Sequence, residues 1–470
     1  MDCVCDETME LILRFDDVIE PEKLRQSLGR LLEIGNWRKL GARVRPRENN
    51  AGVKFEYHIP EKYTETRPGF IYRESKYSDG ISNHPTASRL PRQHSGLSIL
   101  GATQDFASLG LQPGDPRHLA DWAYTDLPQL FFHHTTFKDA TVIAMTYPHS
   151  LMDGMGHGTF LRAWIAVLHG REDEVPELGG FEDARSHLTE GAPATKYLLH
   201  QYILGWYQTI VFGCWRFIET LWSSEEDRVV CIPRQFVQEL RANVLDELDS
   251  GKGETFVSNN DVLLAWFART ILSIAGPLRN RSLVLMNSFN IRSVALSSQP
   301  AFINNAVIPA CTILPIWKVL REPMSFLAMQ VRRSLVQQRG LDQIHAWYKL
   351  MVSSLEQTGR PRVIGTSDGF TMIFSNWDKA SLFRLDLSPA ASEMGLPLGQ
   401  RSTQLGYPSC VLCTTPFSML GVRSGGCCLG KDAEGNWWTQ WRLRRTEWDR
   451  LETILETINH QRQTHTGKGV

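Results

Sequence analysis

Two strand-like segments and an amphipathic helix follow one another in the first half of the chain, and this succession strongly constrains the fold. Leu130–Phe137 and Thr141–Tyr147 are apolar and are separated by the turn-like residues 138–140, which predicts a β-hairpin. From Gly154 to Leu168 the apolar side chains recur at a helical period. A hairpin that leads directly into such a helix predicts a sheet covered by helices, as in an α/β fold.

The N-terminal segment has a similar organisation. Leu11–Phe15 predicts a strand, and Pro21 opens a helix whose leucines share one face. Residues 60–118 are rich in Pro, Gly, Ser and Arg, which predicts long loops of the kind that shape pockets. Since 470 residues exceed the size at which one core keeps growing, two or three domains are expected.

Composition and charge exclude several classes of protein. The chain is 42% hydrophobic and 21% charged, as is typical of a soluble globular protein. Its formal net charge of -1 provides no bulk field that would attract nucleic acid or an anionic membrane. Asp2, Asp6 and Glu7 stand where a secretory signal would be basic and then apolar, so a cytoplasmic location is expected.

The chain has nine cysteines, an odd number, and they are scattered along the sequence. This pattern predicts reduced thiols. Cys410 and Cys413 form a CxxC, and Cys427 and Cys428 are adjacent. This spacing fits neither a zinc ribbon nor a thioredoxin-like site. We interpret the four residues as small apolar strand residues, and no metal is expected.

The longest apolar stretch, residues 197–222, is interrupted by His200, Arg216 and Glu219. Its uncharged part is shorter than the about 18 residues that indicate a bilayer span. The stretch therefore predicts a long helix packed on the body of the protein, with a face on a membrane surface as the alternative. The stripe that would pack consists of Trp206, Ile210, Cys214, Phe217 and Leu221.

Residues 149–154 read HxxxDG and lie between the apolar strand and the helix. An unperturbed imidazole is mostly neutral near pH 7, so His149 is suited to act as a general base. It would take a proton from a hydroxyl or amine that attacks an acyl carbon. Asp153 is the candidate structural anchor, since its carboxylate need not point where the imidazole points.

Other interpretations of these residues stay open at this stage. A core histidine bonded to backbone is an equally good interpretation of His149. His157 completes an HxxxDxxxH spacing that would suit a metal if the helix began before Gly154. Residues 365–369 spell GxSxG. A nucleophile elbow needs a strand before the serine and a helix after it, whereas here a strand follows, so we interpret this segment as a turn.

With these surroundings, HxxxDG resembles the motif of the BAHD acyltransferases, in their fungal, trichothecene-acetyltransferase-like branch. Weaker motifs in the same order extend the resemblance over nearly the whole chain. They are residues 40–44 (LGARV), 153–156 (DGMG), 160–164 (FLRAW), 257–266 (VSNNDVLLAW), 290–292 (NIR) and 304–306 (NNA).

The resemblance implies two similar α/β domains of the chloramphenicol-acetyltransferase type with the active-site tunnel between them. The expected division is an N-terminal domain at 1–175, a crossover linker and long helix at 176–228, and a C-terminal domain at 229–470. Part of the C-terminal half, about 365–395, is expected to return to the N-terminal domain.

The resemblance also implies roles for single residues. His149 is the base and Asp153 pairs with Arg292, while Ser258 and Asn260 are expected to contact the donor. Ser375 and Trp377 are expected to contact the acceptor or the oxyanion.

The family's DFGWG motif is where this sequence departs. Residues 384–390 (RLDLSPA) stand in its place, and only Asp386 survives, so it is carried over as a site residue. The motif's two glycines are absent here, which calls the binding of the donor by this segment into question.

We therefore expect an acyl-CoA-dependent O-acyltransferase that acetylates a hydroxyl of a hydrophobic secondary metabolite. Acyl-CoA is a co-substrate and no cofactor is permanently bound. A monomer without nucleic-acid partner or membrane span is expected. The alternatives are an inactive metabolite-binding protein of the same fold and a condensation-type enzyme that takes acyl groups from a carrier protein.

Overall fold

The computed structural model describes most of the chain, and every structural statement below concerns these residues. They are 7–49, 52–92, 96–179, 185–189, 195–221, 224–249, 256–276, 280–297, 300–393, 395, 397, 401, 403–415 and 422–466.

The described residues form both strands and helices. The strands are β1 Thr8–Phe15, β2 Val18–Ile19, β3 Arg43–Asn49, β4 Gly52–His58, β5 Ile71–Lys76, β6 Ser98–Ala102, β7 Phe131–Thr136, β8 Thr141–Pro148, β9 Glu225–Ile232, β10 Ser282–Asn290, β11 Val307–Pro315, β12 Phe370–Asn376, β13 Ala391–Glu393, β14 Pro408–Cys413, β15 Ser424–Lys431 and β16 Trp437–Arg444. The helices are α1 Pro21–Leu31, α2 Leu119–Ala123, α3 Gly154–Leu168, α4 Trp206–Leu221, α5 Arg234–Asp249, α6 Asn259–Ile274, α7 Arg292–Ala295, α8 Ile316–Arg321, α9 Met324–Gln338, α10 Leu341–Thr358 and α11 Arg445–Thr466.

Two large mixed sheets organise the protein. One has the order β14-β1-β8-β7-β5 and the other the order β11-β10-β12-β15-β16-β9-β6. In the first, β1 is buried along its whole length between β14 and β8, because its residues are apolar on one face and paired on both edges. α1 and α3 pack together beside this sheet, and the Trp164 indole donates a hydrogen bond of 2.9 Å to Ser27 Oγ.

Local predictions made from periodicity are confirmed. The hairpin is β7–β8, and α3 spans the predicted residues. α1 buries Leu24, Leu28 and Leu31 on one face. The GxSxG segment is an irregular turn before β12.

The two sheets exchange strands between the halves of the chain. β14 comes late in the sequence but pairs with β1, whereas β6 comes early and pairs with β9. β12 stays in the second sheet beside β10, so the returning part starts later than the expected 365–395 and runs to Cys413. The reason is that Phe370–Asn376 is buried between two parallel neighbours, and the chain leaves that sheet only after it.

The orientation predicted for the long apolar helix is wrong. α4 forms, but Trp206, Ile210 and Phe217 are 78%, 56% and 65% exposed. The helix packs through Phe212 instead. Within the described residues, no helix is both long and apolar enough to cross a bilayer.

The cysteines of the CxxC lie on β14 and are buried in the core, as interpreted from the sequence. Burial raises the pKa of both Cys410 and Cys413 to about 12, so these thiols stay protonated and unreactive at neutral pH. Cys427 and Cys428 on β15 are buried and free as well.

Glu10, in the middle of β1, gives the fold a defined pH dependence. Its side chain is buried, accepts a hydrogen bond from the Thr414 hydroxyl, and leaves Oε1 without a partner among the described residues. Burial raises the pKa of this carboxyl from 4.5 to about 8, because desolvation penalises the carboxylate. The folded state thus holds a proton that the unfolded chain releases above about pH 4.5, and stability falls between pH 4.5 and 8.

We predict that Glu10→Gln, which cannot ionise, raises stability at pH 7.5 by up to about 4 kcal/mol. The gain should shrink to a few tenths of a kcal/mol near pH 4.5, where the folded state holds the proton and the unfolded chain is about half protonated. Thermal unfolding across this pH range measures it, with the exposed Glu22→Gln on α1 as the control. An equal effect of Glu10→Gln at both pH values would contradict the assignment.

Candidate active site

The HxxxDG loop joins β8 to α3, and Asp153 begins the helix. Its backbone is extended, with φ -87° and ψ 178°, as is usual for a residue that caps a helix. Its Oδ1 accepts hydrogen bonds from the backbone N–H groups of Met155 at 3.0 Å and Gly156 at 2.8 Å. The carboxylate therefore accepts hydrogen bonds from two backbone N–H groups in the first turn of α3.

The same carboxylate forms a bidentate ion pair with Arg292 at the start of α7. Arg292 NH2 donates to Oδ1 at 3.0 Å and NH1 donates to Oδ2 at 3.1 Å. The backbone N–H of Ala306 donates to Oδ2 at 2.9 Å. Because all these donors converge on it, the Asp153 carboxylate has no capacity left for the His149 ring and serves as an anchor.

The segment that precedes β11 holds Arg292 in place. Its guanidinium donates to the carbonyl oxygens of Phe302 at 2.6 Å, Ile303 at 3.2 Å and Asn304 at 2.6 Å. It also donates to Asn290 Oδ1 at 3.1 Å. The five N–H groups of arginine supply these bonds and the bidentate pair, with one N–H of NH2 shared between two acceptors. A lysine ammonium, with three donors, could not match them.

Two adjacent asparagines hold the backbone of the HxxxDG loop. Asn305 Nδ2 donates to the His149 carbonyl at 2.9 Å, and Asn304 Nδ2 donates to the Leu151 carbonyl at 3.1 Å. In the sequence they belong to a segment that resembles the family, and that resemblance assigns them no role. Their signal was the NNA triplet, which names residue types but not what they contact.

His149 is partly exposed, in contrast to the buried residues around it. Its backbone N–H donates to the Glu7 carbonyl at 2.9 Å. Nδ1 is buried without a partner among the described residues, so the exposed part of the ring lies away from it. Nε2 is therefore the nitrogen available to a hydroxyl of a bound acceptor.

Trp377 and Ser375 lie beside the same loop. The Trp377 ring covers Gly154, where a Cβ would lie 2.5 Å from it. Its Nε1–H donates to Ser375 Oγ at 3.0 Å. A Cβ at Gly156 would lie 1.8 Å from the Ile303 carbonyl oxygen, so the glycines of the DGMG segment allow this close approach.

Ser258 and Asn260 occupy the start of α6. Ser258 caps the helix: Oγ accepts from Asp261 N at 3.2 Å and donates to Asp261 Oδ2 at 2.7 Å. Asn260 Oδ1 accepts from Asn376 Nδ2 at 2.7 Å, which places it near the end of β12. Their predicted contact with the donor stays a prediction.

The structure does not bring Asp386 to His149, which corrects its assignment as a catalytic residue. Asp386 Oδ1 accepts from Ser388 N at 2.9 Å, and its carbonyl oxygen lies 3.0 Å from His169 Nε2. His169 follows the C-terminal end of α3, whereas His149 precedes its start. The 15 residues of α3 separate the two ends by about 22 Å.

His157 does not share a metal site with His149 and Asp153. α3 begins at Gly154, so the loop residues are not on its face. Burial lowers the pKa of His157 to about 3, and its Nδ1 lies 3.0 Å from the Tyr147 hydroxyl. Among the described residues there is no group of three or more His, Cys, Asp or Glu side chains placed to hold a metal ion.

Solved structures show the fold of the protein. TRI101 of F. sporotrichioides, complexed with coenzyme A and T-2, matches with a TM-score of 0.67 at 14% identity, over 96% of this chain and 95% of its own. Vinorine synthase matches with a TM-score of 0.59 at 14% identity, over 95% and 89%. A condensation domain of the calcium-dependent antibiotic synthetase matches with a TM-score of 0.55 at 12% identity, over 97% and 91%. The predicted α/β fold of two chloramphenicol-acetyltransferase-like domains is confirmed.

Relatives of higher identity show the family, although no family model matches the chain. O-acyltransferase ausP of Penicillium brasilianum is 39% identical, over 97% of this chain and 92% of its own. Acetyltransferase sphE of Aspergillus fumigatus is 38% identical, over 96% and 92%. A relative from Penicillium decumbens named transcriptional regulator calD is 33% identical, over 95% and 91%. The chain belongs to this family of fungal O-acyltransferases and acetyltransferases, as the sequence predicted.

We predict that Arg292→Ala destabilises the protein by about 3 kcal/mol, because it leaves the Asp153 carboxylate buried without its counter-charge. Activity should fall at the same time, since the loop that holds His149 loses its anchor. Chemical denaturation measures the first effect. Arg292→Lys, which keeps the charge but not the fork, should recover only part of the stability, and an unchanged unfolding midpoint for Arg292→Ala would exclude the role.

We predict that Asn305→Ala lowers kcat by about tenfold or more while the melting temperature falls little, because a single hydrogen bond contributes about 1 kcal/mol to stability. The substitution frees the His149 carbonyl and lets the ring move. Steady-state kinetics and thermal unfolding measure the two effects. Asn36→Ala, which removes an amide that donates to the Leu178 carbonyl away from the loop, is the control. A wild-type kcat for Asn305→Ala would contradict the positioning role.

Proposed function

We propose that this protein transfers an acyl group, in the first instance acetyl, from acyl-CoA to a hydroxyl of a hydrophobic secondary metabolite. The observation that carries the proposal is the exposure of the His149 ring. Its Nδ1 is buried, whereas the ring is accessible from the Nε2 side. The names of the relatives, O-acyltransferase and acetyltransferase, support the reaction type. The matching fold of TRI101, which is complexed with coenzyme A and T-2, supports a CoA donor and a small-molecule acceptor.

In the proposed reaction His149 is the general base. Its Nε2 takes the proton of the acceptor hydroxyl while the oxygen attacks the thioester carbonyl. The tetrahedral intermediate then collapses, the C–S bond breaks, and the departing CoA thiolate takes the proton back from His149. Donor and acceptor react within one ternary complex, and no acyl-enzyme forms. Positioned proton transfer of this kind contributes about 10² to 10⁴ in rate.

Asp153 and Arg292 act through position in this mechanism. Their ion pair is 3.0 Å long, and both side chains are largely buried. It fixes the end of the loop four residues after His149, so the imidazole is presented in one orientation. Preorganisation of this kind lowers the cost of reaching the transition state.

Ser375 is proposed to donate a hydrogen bond to the oxyanion. Its Oγ already accepts from Trp377 Nε1, so its own hydrogen is free to point at a developing negative charge. Trp377 covers the start of α3 and offers an apolar wall to the acceptor. An oxyanion donor of this kind contributes about 3 to 4 kcal/mol.

Two alternative functions predicted from the sequence are each supported by a specific observation. A metabolite-binding protein without activity is motivated by the sequence 384–390 and by the name of the calD relative. A carrier-protein donor is motivated by the condensation domain of the same fold. The monomeric state and the cytoplasmic location stay predictions.

We predict saturable binding of acetyl-CoA to the wild-type protein, measured by calorimetric titration, because this requires no knowledge of the acceptor. Longer acyl-CoAs in the same titration report the preferred chain length. Folded protein that binds none of them would refute the CoA donor. Transfer from a loaded carrier protein would then select the second alternative, and binding of apolar ligands alone would select the first.

We predict that His149→Gln lowers the rate of acyl transfer by about 10² to 10⁴ while acetyl-CoA binding and the melting temperature change little. Transfer to a panel of hydroxylated terpenoids and polyketides is followed by mass spectrometry. His58→Gln, a histidine on the exposed β4, is the matched control. A near-wild-type rate for His149→Gln on an acceptor that the wild type acylates would refute the role of the base.

A further inference from the structure

Helix α4 presents its apolar side chains to solvent. The exposed fractions are 78% for Trp206, 65% for Tyr207, 56% for Ile210, 65% for Phe217 and 46% for Ile218. At 3.6 residues per turn these positions fall on one side of the helix. We call this set of five side chains the apolar face of α4.

The opposite side of α4, which packs on the protein, carries the charges. Arg216 and Glu219 are the helix's only charged residues, and they lie 2.8 Å apart. Glu219 also pairs with Arg281 at 2.5 Å, and Arg216 donates to the Val422 carbonyl at 2.8 Å. Both charges are thus neutralised inside the protein beside the buried Phe212. The outward side has no charge at all.

This arrangement is the reverse of an ordinary surface helix, in which the apolar stripe faces the core and the charges face water. Contiguous apolar surface on a soluble protein marks a site of interaction. The residue types are informative as well, since Trp and Tyr are enriched where a protein meets the interface between lipid and water.

Two cations lie beside the N-terminal end of the helix. Leu204 N donates to the Val363 carbonyl at 3.0 Å, and Ile203 pairs antiparallel with Ile364. This pairing brings Arg362 and Arg360 alongside the start of α4. Both are exposed, and neither forms an ion pair with any acidic residue that the structure describes.

We propose that α4 docks the protein on the surface of a membrane that contains anionic phospholipids. The apolar face enters the boundary between headgroups and acyl chains, with the helix axis parallel to the membrane, and Arg360 and Arg362 contact lipid phosphates. Charge complementarity favours this partner over a second copy of the chain, because the apolar face of α4 carries no charge and the two arginines beside it form no ion pair among the described residues. The proposal does not depend on the reaction proposed above.

Co-sedimentation of the full-length chain with vesicles tests the proposal. One set of vesicles is pure phosphatidylcholine and a second set contains phosphatidylserine as well. We expect the wild type to sediment with the anionic vesicles and less with the neutral ones. High salt should reduce the difference between the two sets, since it screens the arginines.

The double variant Trp206→Ser with Phe217→Ser should lower partitioning into anionic vesicles by at least about tenfold, because binding scales with buried apolar area. Its melting temperature should match the wild type, as both side chains are mostly exposed. Trp317→Ser with Val336→Ser is the matched control, since these residues are 47% and 51% exposed on other helices. It should bind vesicles like the wild type. Arg360→Gln with Arg362→Gln should remove only the preference for anionic lipid.

Three results would overturn the proposal. The wild type could remain in the supernatant with both vesicle sets. The control pair could lose as much binding as the α4 pair, which would indicate non-specific adsorption. Light scattering could show a wild-type dimer that the α4 substitutions dissociate, which would assign the apolar face to a second copy.

Discussion

The hydrogen bonds and the ion pair of the Asp153 carboxylate are the interactions on which the rest of the site depends. It accepts from the first turn of α3, from Arg292 and from the backbone of Ala306. A carboxylate with two oxygens has room for about four hydrogen bonds, so this one is saturated. Asp153 therefore cannot steer the imidazole directly, and the base depends on how well the loop is held. The spacing in HxxxDG is explained by geometry: four residues carry the chain from the end of β8 to the residue that caps α3.

Local patterns predicted local structure well. The bounds of α3 and β12 follow from apolar periodicity, which depends only on neighbours in sequence. Arg292 could be named as the partner of Asp153 because the family resemblance fixed the positions of both residues. The role of Asn305 could not, because its amide contacts a backbone carbonyl and so leaves no second residue type to look for.

Features that depend on residues far apart in the chain were not predicted from the sequence. The stripe on α4 was visible, but periodicity does not tell which side of a helix faces the protein. The pairing of β14 with β1 joins residues about 400 positions apart, as in the pair Leu11 and Cys413, and no local signal records it. Asp386 was assigned to the site by aligning a divergent segment with the family's motif. The shared residue type did not mean that Asp386 lies near His149.

The exchange of β14 and β6 between the sheets has a consequence for how the protein can be divided. Each sheet is completed by a strand from the opposite half of the chain. A cut within residues 176–228 would give an N-terminal fragment whose β1 has lost its partner β14 and a C-terminal fragment whose β9 has lost β6. Each fragment would expose an unpaired strand edge, which promotes aggregation. The two domains are therefore interlocked by the strands that they exchange.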